Sequence, residues 1–140
     1  MNRILGFDLG SKTLGISISD PLGMIARALT TLRFESDDYE KAFHMAAEVI
    51  EKERADCIVL GLPKHMNGDI GERGEISIAF QKKLETLGVK VVLWDERLTT
   101  VAANRILLQG DVSRKKRKKV IDMLAAVIIL QGYLDSKRIF

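Results

Sequence analysis

Three carboxylates occupy places where acids are costly to keep. Asp8 ends the apolar run "RILGFD" and precedes the tight loop "GSKTLG". Glu96 follows the apolar run "VKVVLW" within "DERLTT". Asp122 is the one polar residue in "VIDMLAAVIIL", Val120 to Leu130. A buried lone carboxylate is expensive unless it is paired or bound to metal. Three acids drawn into one crevice would repel and raise one another's pKa, and a divalent cation removes that penalty. An all-oxygen donor set suits Mg²⁺ or Mn²⁺. Ser11, Lys12 and Thr13, in the loop after Asp8, could then contact a phosphate. Cys57, His44 and His65 are scattered along the chain, which argues against zinc. No Ser–His–Asp arrangement stands out either.

Each acid also has a local reading. Asp8 before Leu-Gly can serve a turn. Asp95 can cap a following helix while Glu96 pairs with Arg97 or solvent. Asp122 can complement the positive end of a helix as a first-turn acid. Spacing alone permits convergence of the three without requiring it.

The elements that must position them follow from hydrophobic periodicity. "RILGFDLG" reads as a short strand with Ile4, Gly6 and Asp8 on one face and Leu5, Phe7 and Leu9 on the other. "LGISISD" alternates as a half-buried strand, and Gly10 and Gly15 bracket a hairpin between the two. "MIARALTTL" is a third strand, entered through Pro21 and Gly23. A helix follows, with Ser36, Asp37 and Asp38 as caps and a capping box from Asp37 to Glu40. Phe43, Ala46, Ala47 and Ile50 recur on its apolar face.

"DCIVLGL" is a continuous apolar run, the mark of a buried parallel strand. After the loop "PKHMNGDIGERG" a second helix is expected from Glu75 to Leu87, closed by Gly88. "VKVVLW" is a further buried strand, and "DERLTT" leads into a third helix ending near Gly110. A last helix is expected from Lys118 to Asp135, apolar nearly all round and so buried. Asp122 shares its face with Ala125, Ala126 and Ile129, and the alanines would allow close approach to a sheet. The order is βββαβαβα with an extra terminal helix, in one domain spanning 1–140. It implies an α/β fold: a five-stranded mixed sheet, three antiparallel strands and then strand–helix alternation, with helices on both faces. Ribonuclease-H-like domains use this order.

The 140 residues carry 22 Lys and Arg against 19 Asp and Glu, a net charge of +3. Six of those cations form "RKKRKK", Arg114, Lys115, Lys116, Arg117, Lys118 and Lys119. Without the block, sixteen cations face nineteen acids, so the body is mildly acidic and the positive charge is concentrated in one segment. Such a block reads as a contact for a polyanion, most often nucleic acid, or as a solvated loop, here placed in the connection before the last helix. No run is long and apolar enough to span a bilayer. The opening "MNRILGFDLG" lacks the apolar core of a secretory leader. The one cysteine, Cys57, cannot form an internal disulfide and reads as a small core residue. The expected location is the cytoplasm.

"FDLGSKTLGISISD", "VLGLPKHMNG", "WDERLTT" and "RKKRKKVIDMLAAVIILQGYLD" together resemble the YqgF family across essentially the whole chain. Its members are bacterial ribonuclease-H-fold proteins, described as Holliday junction resolvases and as pre-16S rRNA nucleases. The resemblance implies Asp8, Glu96 and Asp122 as the catalytic and metal-binding set, with one or two Mg²⁺ or Mn²⁺ ions and metal-assisted phosphodiester hydrolysis. It implies Lys12 and Arg97, with Thr99, as neighbours of the phosphate. Lys64 in the loop to Asp69 and the basic block Arg114 to Lys118 would grip the nucleic-acid backbone. Other members of this fold carry an acid on the fourth strand and a fourth acid near the last helix. Here the fourth strand ends in "GLP" and Ala125 and Ala126 follow Asp122, leaving Asp95 or Asp20 to supply a fourth.

The favoured reading is an endonuclease for structured RNA or DNA, processing the pre-16S rRNA end. Holliday junction resolution is the alternative. It needs two symmetric active sites and so a dimer, and the sequence leaves monomer and homodimer open. A nucleic-acid-binding protein without catalysis is a second class. A sugar-kinase-like ATPase is a third, since such proteins share the Asp-x-Gly hairpin, but they close two such domains around ATP.

Overall fold

A computed structural model of the chain describes residues 3–65, 67–96 and 114–137, with the backbone alone described from 114 to 123. The described strands are β1 (Arg3–Leu9), β2 (Thr13–Ser19), β3 (Ala26–Arg33), β4 (Ala55–Leu62) and β5 (Lys90–Asp95). The helices are α1 (Tyr39–Glu53), α2 (Glu72–Glu85) and α3 (Arg114–Ser136). The helix expected between Glu96 and Gly110 falls outside the described residues.

The five strands form one sheet in the order β3-β2-β1-β4-β5. β1, β2 and β3 pair antiparallel, and β4 and β5 add to β1 in parallel. This is the mixed ribonuclease-H-like sheet that the element order implies. Its strands separate two cores by the period of two. Leu5, Phe7, Leu9, Leu14, Ile16, Ile18, Ile58 and Leu60 meet Ala42, Ala46 and Ile50 of α1 and Phe80 and Leu84 of α2. On the other face Ile4, Val59, Val92 and Trp94 meet Ile129, Leu130, Tyr133 and Leu134 of α3.

Close seating of α3 depends on Gly6. A Cβ there would overlap the Ser17 hydroxyl and lie 2.7 Å from Leu130 Cβ and 2.8 Å from the Ala126 carbonyl. Ser17 is fully buried, and its Oγ donates to the Ala126 carbonyl at 2.6 Å. At the far end of the helix, Gln131 Oε1 accepts from the Ala26 N–H at 2.9 Å. Ala26 pairs with Ser19, beside the N-terminal end of β1. Going backwards along α3 from Gln131 to Ala126 therefore leads along β1 toward the end that carries Asp8.

Three local expectations are corrected. Asp38, not Asp37, caps α1, accepting from the Lys41 N–H at 3.1 Å. Asp37 is in left-handed backbone, φ 62°, and accepts from the Tyr39 hydroxyl at 3.0 Å. α2 begins at Glu72, so the last residues of the glycine-rich loop are its first turn. The basic block is not a connection: α3 already begins at Arg114, so Arg114 to Lys118 are its opening turns. A run of like charge lowers helix propensity less than a glycine or proline would, and neither is present there.

Candidate active site

The site lies where β1, β4 and β5 end. Asp8 is the penultimate residue of β1, on the face covered by α3, and is half-buried. Glu96 directly follows β5 and is also half-buried. β4 separates the two strands, and neighbouring strands are about 4.8 Å apart. Contact across that gap is possible because the intervening position on β4 is Gly61. A Cβ on Gly61 would overlap the Glu96 carboxylate and reach within 2.7 Å of Ile129 Cδ1. With no side chain there, Glu96 reaches back across β4 and hydrogen-bonds Asp8. Its backbone N–H continues the ladder, donating to the Leu62 carbonyl at 3.2 Å.

The electrostatic consequence is large. Burial, the hydrogen bond to Asp8 and the Asp8 charge push the Glu96 carboxyl up to about 9, and Asp95 adds to the rise. Arg73 opposes it. Near neutral pH Glu96 keeps its proton and donates it to Asp8. The pair is thus short of positive charge. Its oxygen-only donor set, sharing one proton, fits a hard divalent cation. Among the described residues no group of three or more His, Cys, Asp or Glu is placed to hold a metal ion.

Asp122 lies in α3, one helical turn before Ala126. A turn rises about 5.4 Å, and two strand residues, Gly6 to Asp8, rise about 6.6 Å. Backbone position 122 is therefore level with the Asp8 end of β1, on the helix face that carries Ala126 and Ile129.

Lys12 is exposed in the hairpin loop between β1 and β2. That loop is held by hydrogen bonds from the Gly10 N–H to the Thr13 carbonyl, from the Phe34 N–H to Lys12 and from the Asp37 N–H to Ser11. Lys64 follows β4 and pairs with Asp95 at 3.9 Å. Asp95 is thereby drawn toward the loop after β4. Arg97 and Thr99 fall outside the described residues, as does the helix that Asp95 could cap.

Asp20 does not serve as a fourth acid. It follows Ser19 at the opposite end of the sheet, and its Oδ1 accepts from the Met24 and Ile25 N–H groups at 2.7 and 3.1 Å. Those backbone hydrogen bonds, Ile25 first, hold its pKa below the usual value, as befits a turn residue. Cys57 is buried on the α3 side and hydrogen-bonds Tyr133, and burial pushes its thiol pKa up. Both findings agree with an inert core residue.

One site residue has no signal in the sequence. Arg73, in the first turn of α2, donates from Nη2 to the Leu9 carbonyl at 3.2 Å and from Nη1 to the Tyr39 hydroxyl at 2.8 Å. It lies 64 positions from Leu9, so no local spacing could point to it.

The chain is similar to several known proteins. The Staphylococcus carnosus protein named "Putative pre-16S rRNA nuclease" is 53% identical over 137 residues, covering 96% of each chain. The Bacillus subtilis protein of the same name is 55% identical over 135 residues, covering 96% of this chain and 98% of its own. Among solved structures, Thermus thermophilus RuvC in complex with a Holliday junction substrate superposes with a TM-score of 0.60. It covers 98% of this chain and 97% of its own at 14% identity, a likeness of fold. Residues 2–136 match the family described as "RuvX: Holliday junction resolvase", and the chain belongs to that family.

Proposed function

We propose that the protein is a metal-dependent endonuclease that trims the end of pre-16S ribosomal RNA. The observation that carries this is the proton-sharing pair of carboxyls, Asp8 and Glu96, at the open ends of β1 and β5. A structural role would not favour two hydrogen-bonded acids in one half-buried crevice, whereas a cation site would. The RNA substrate is taken from the name borne by relatives that share more than half of their residues with this chain.

Asp8 and Glu96 would hold Mg²⁺ or Mn²⁺, one ion or two, and Asp122 would complete the set. Its level on α3, one turn before the helix meets Gly6, supports that assignment. When bound, such an ion polarises a phosphodiester oxygen and lowers the pKa of a coordinated water. Glu96 must give up its proton for this, so metal binding and deprotonation are coupled. Lys12, Lys64, Arg97 and the opening turns of α3, Arg114 to Lys118, would bind the phosphate backbone. Every phosphate neutralised in this way makes binding weaken with salt. No helix among the described residues is long and apolar enough to cross a membrane. A cytoplasmic setting fits a ribosomal RNA substrate.

Holliday junction cleavage is the second reading, favoured by the family's description. It requires a dimer that presents two such sites to the two strands. The test is cleavage of labelled pre-16S RNA and of a four-way DNA junction in Mg²⁺ or Mn²⁺, with Asp8→Asn, Glu96→Gln and Asp122→Asn alongside. Cleavage of the RNA by wild type alone is expected. Cleavage of the junction instead, with a dimeric protein, would select the second reading. Tight binding by all four proteins with cleavage by none would leave a binding protein without catalysis.

A further inference from the structure

Arg73 differs from the neighbouring Lys64 and from Lys83 of its own helix. Lys64 is paired with Asp95, and on α2 itself Lys83 is paired with Glu40. Arg73 is half-buried and held by two neutral acceptors, the Leu9 carbonyl and the Tyr39 hydroxyl. Among the described residues no carboxylate forms a salt bridge with it. The guanidinium has five N–H donors in a rigid fork, and these two hydrogen bonds leave further donors available. Leu9 directly follows Asp8, so the anchored cation lies beside the acid pair, and its charge is felt at Glu96. It also forms part of the wall of a cavity of about 260 Å³, with Pro63, Lys64, His65, Gly71, Glu72 and Gly74, so one carboxylate and two cations line it. At the same place α2 begins on Gly71, which offers no side-chain cap.

Among the described residues, the positive charge is thus fixed in position without a direct counter-ion. The Asp8–Glu96 pair close by would be taken up by a bound cation. The partner left for Arg73 is then an anion entering from the cavity. We infer that Arg73 binds a backbone phosphate of the nucleic-acid substrate and holds it in this cavity, on the α2 side of the acid pair. The inference rests on the nuclease reading above. Guanidinium and phosphate match in planar, two-point geometry, which an ammonium does not reproduce. Tyr39, itself bound to Asp37, would keep the fork aimed.

The test measures binding of labelled pre-16S RNA and four-way junction DNA in EDTA across a salt series, using wild type, Arg73→Gln, Arg73→Lys and Tyr39→Phe. Arg73→Gln should lower the slope of log affinity against log salt by about 0.7 to 0.9, one phosphate contact. Arg73→Lys should keep the slope yet cleave more slowly, because the two-point contact is lost. Tyr39→Phe should keep the slope as well. Mn²⁺ binding to Arg73→Gln, followed by electron paramagnetic resonance, should be as tight as wild type or tighter, since a cation has been removed from beside the site. An unchanged slope in Arg73→Gln, with wild type binding and cleaving, overturns this inference alone. A slope lost equally in Tyr39→Phe, or weaker Mn²⁺ binding in Arg73→Gln, assigns Arg73 to bracing the loops and overturns it too. If wild type binds neither nucleic acid, the nuclease reading falls and this inference falls with it.

Discussion

Replacing Glu96 by Gln should make the metal-free protein more stable, with an effect that grows with pH. In the fold the Glu96 carboxyl is pushed up to about 9, against 4.5 for an ordinary glutamate. Below pH 4.5 it is protonated whether the chain is folded or not, and it costs nothing. Above 4.5 the unfolded chain releases the proton and the folded chain keeps it. The folded state then binds more protons, so stability falls as pH rises, by about 1.4 kcal/mol per unit, until the pH reaches about 9. At pH 7 the accumulated cost is at most about 3.4 kcal/mol, and less to the extent that water reaches the half-buried pair. Gln is neutral at every pH and its amide can still donate to Asp8, so the variant keeps the hydrogen bond and loses the cost. For a chain of this length 1 kcal/mol corresponds to about 3 °C in Tm. In EDTA, Glu96→Gln should therefore melt up to about 10 °C above wild type at pH 7, and level with it near pH 4.5. Calorimetry of both proteins across that range measures the difference. A variant no more stable than wild type at pH 7 to 8, or a gain that does not change with pH, would refute the account of the acid pair. Magnesium should raise the Tm of wild type by relieving the same cost, and should raise that of Glu96→Gln less.

Gly6→Ala should destabilise the fold by at least about 1–3 kcal/mol, because its Cβ would press on Ser17, Leu130 and the Ala126 carbonyl and push α3 off the sheet. Urea unfolding would measure this, and a neutral result would mean that α3 does not seat on Gly6. Ser17→Ala should cost about 0.5–1.5 kcal/mol by removing the buried hydroxyl's hydrogen bond to the Ala126 carbonyl, read from the same titration with unchanged m-value. Gly61→Ala should displace Glu96 from Asp8 and so weaken Mn²⁺ binding in calorimetric titration, with a smaller loss of stability than at Gly6, because the end of a glutamate side chain can move aside. Asp8→Asn should abolish cleavage while leaving RNA binding within about twofold of wild type in gel-shift titration. Loss of binding as well would place Asp8 in recognition rather than in chemistry.

The parts of this protein that could be read from its sequence are those set by local periodicity. Alternation assigned β1 and β2 and the face on which Asp8 lies, and continuous apolar runs assigned β4 and β5. Strand ends in a parallel sheet open into a crevice, which is why Asp8 and Glu96 could be singled out. Periodicity does not show why two acids separated by a whole strand should touch. The "GLP" that ends β4 looks like the loss of an acid. In three dimensions Gly61 is the space through which Glu96 reaches Asp8, a role that depends on the register of β4 between β1 and β5. Asp20 illustrates the opposite error. It ends a strand as Asp8 does, but β2 runs antiparallel to β1 and delivers it to the other end of the sheet, where it closes a turn. The basic block shows in sequence as charge alone, yet it holds no glycine or proline to stop α3 from starting there. Arg73 could not be reached by any rule of spacing. Its partners come from β1 and from the first turn of α1, and only the packing of α1 and α2 on one face of the sheet brings the three together. A cation fixed by neutral acceptors beside two acids leaves no pattern in a sequence, because what distinguishes it from Lys83 on the same helix is only which partner the fold provides.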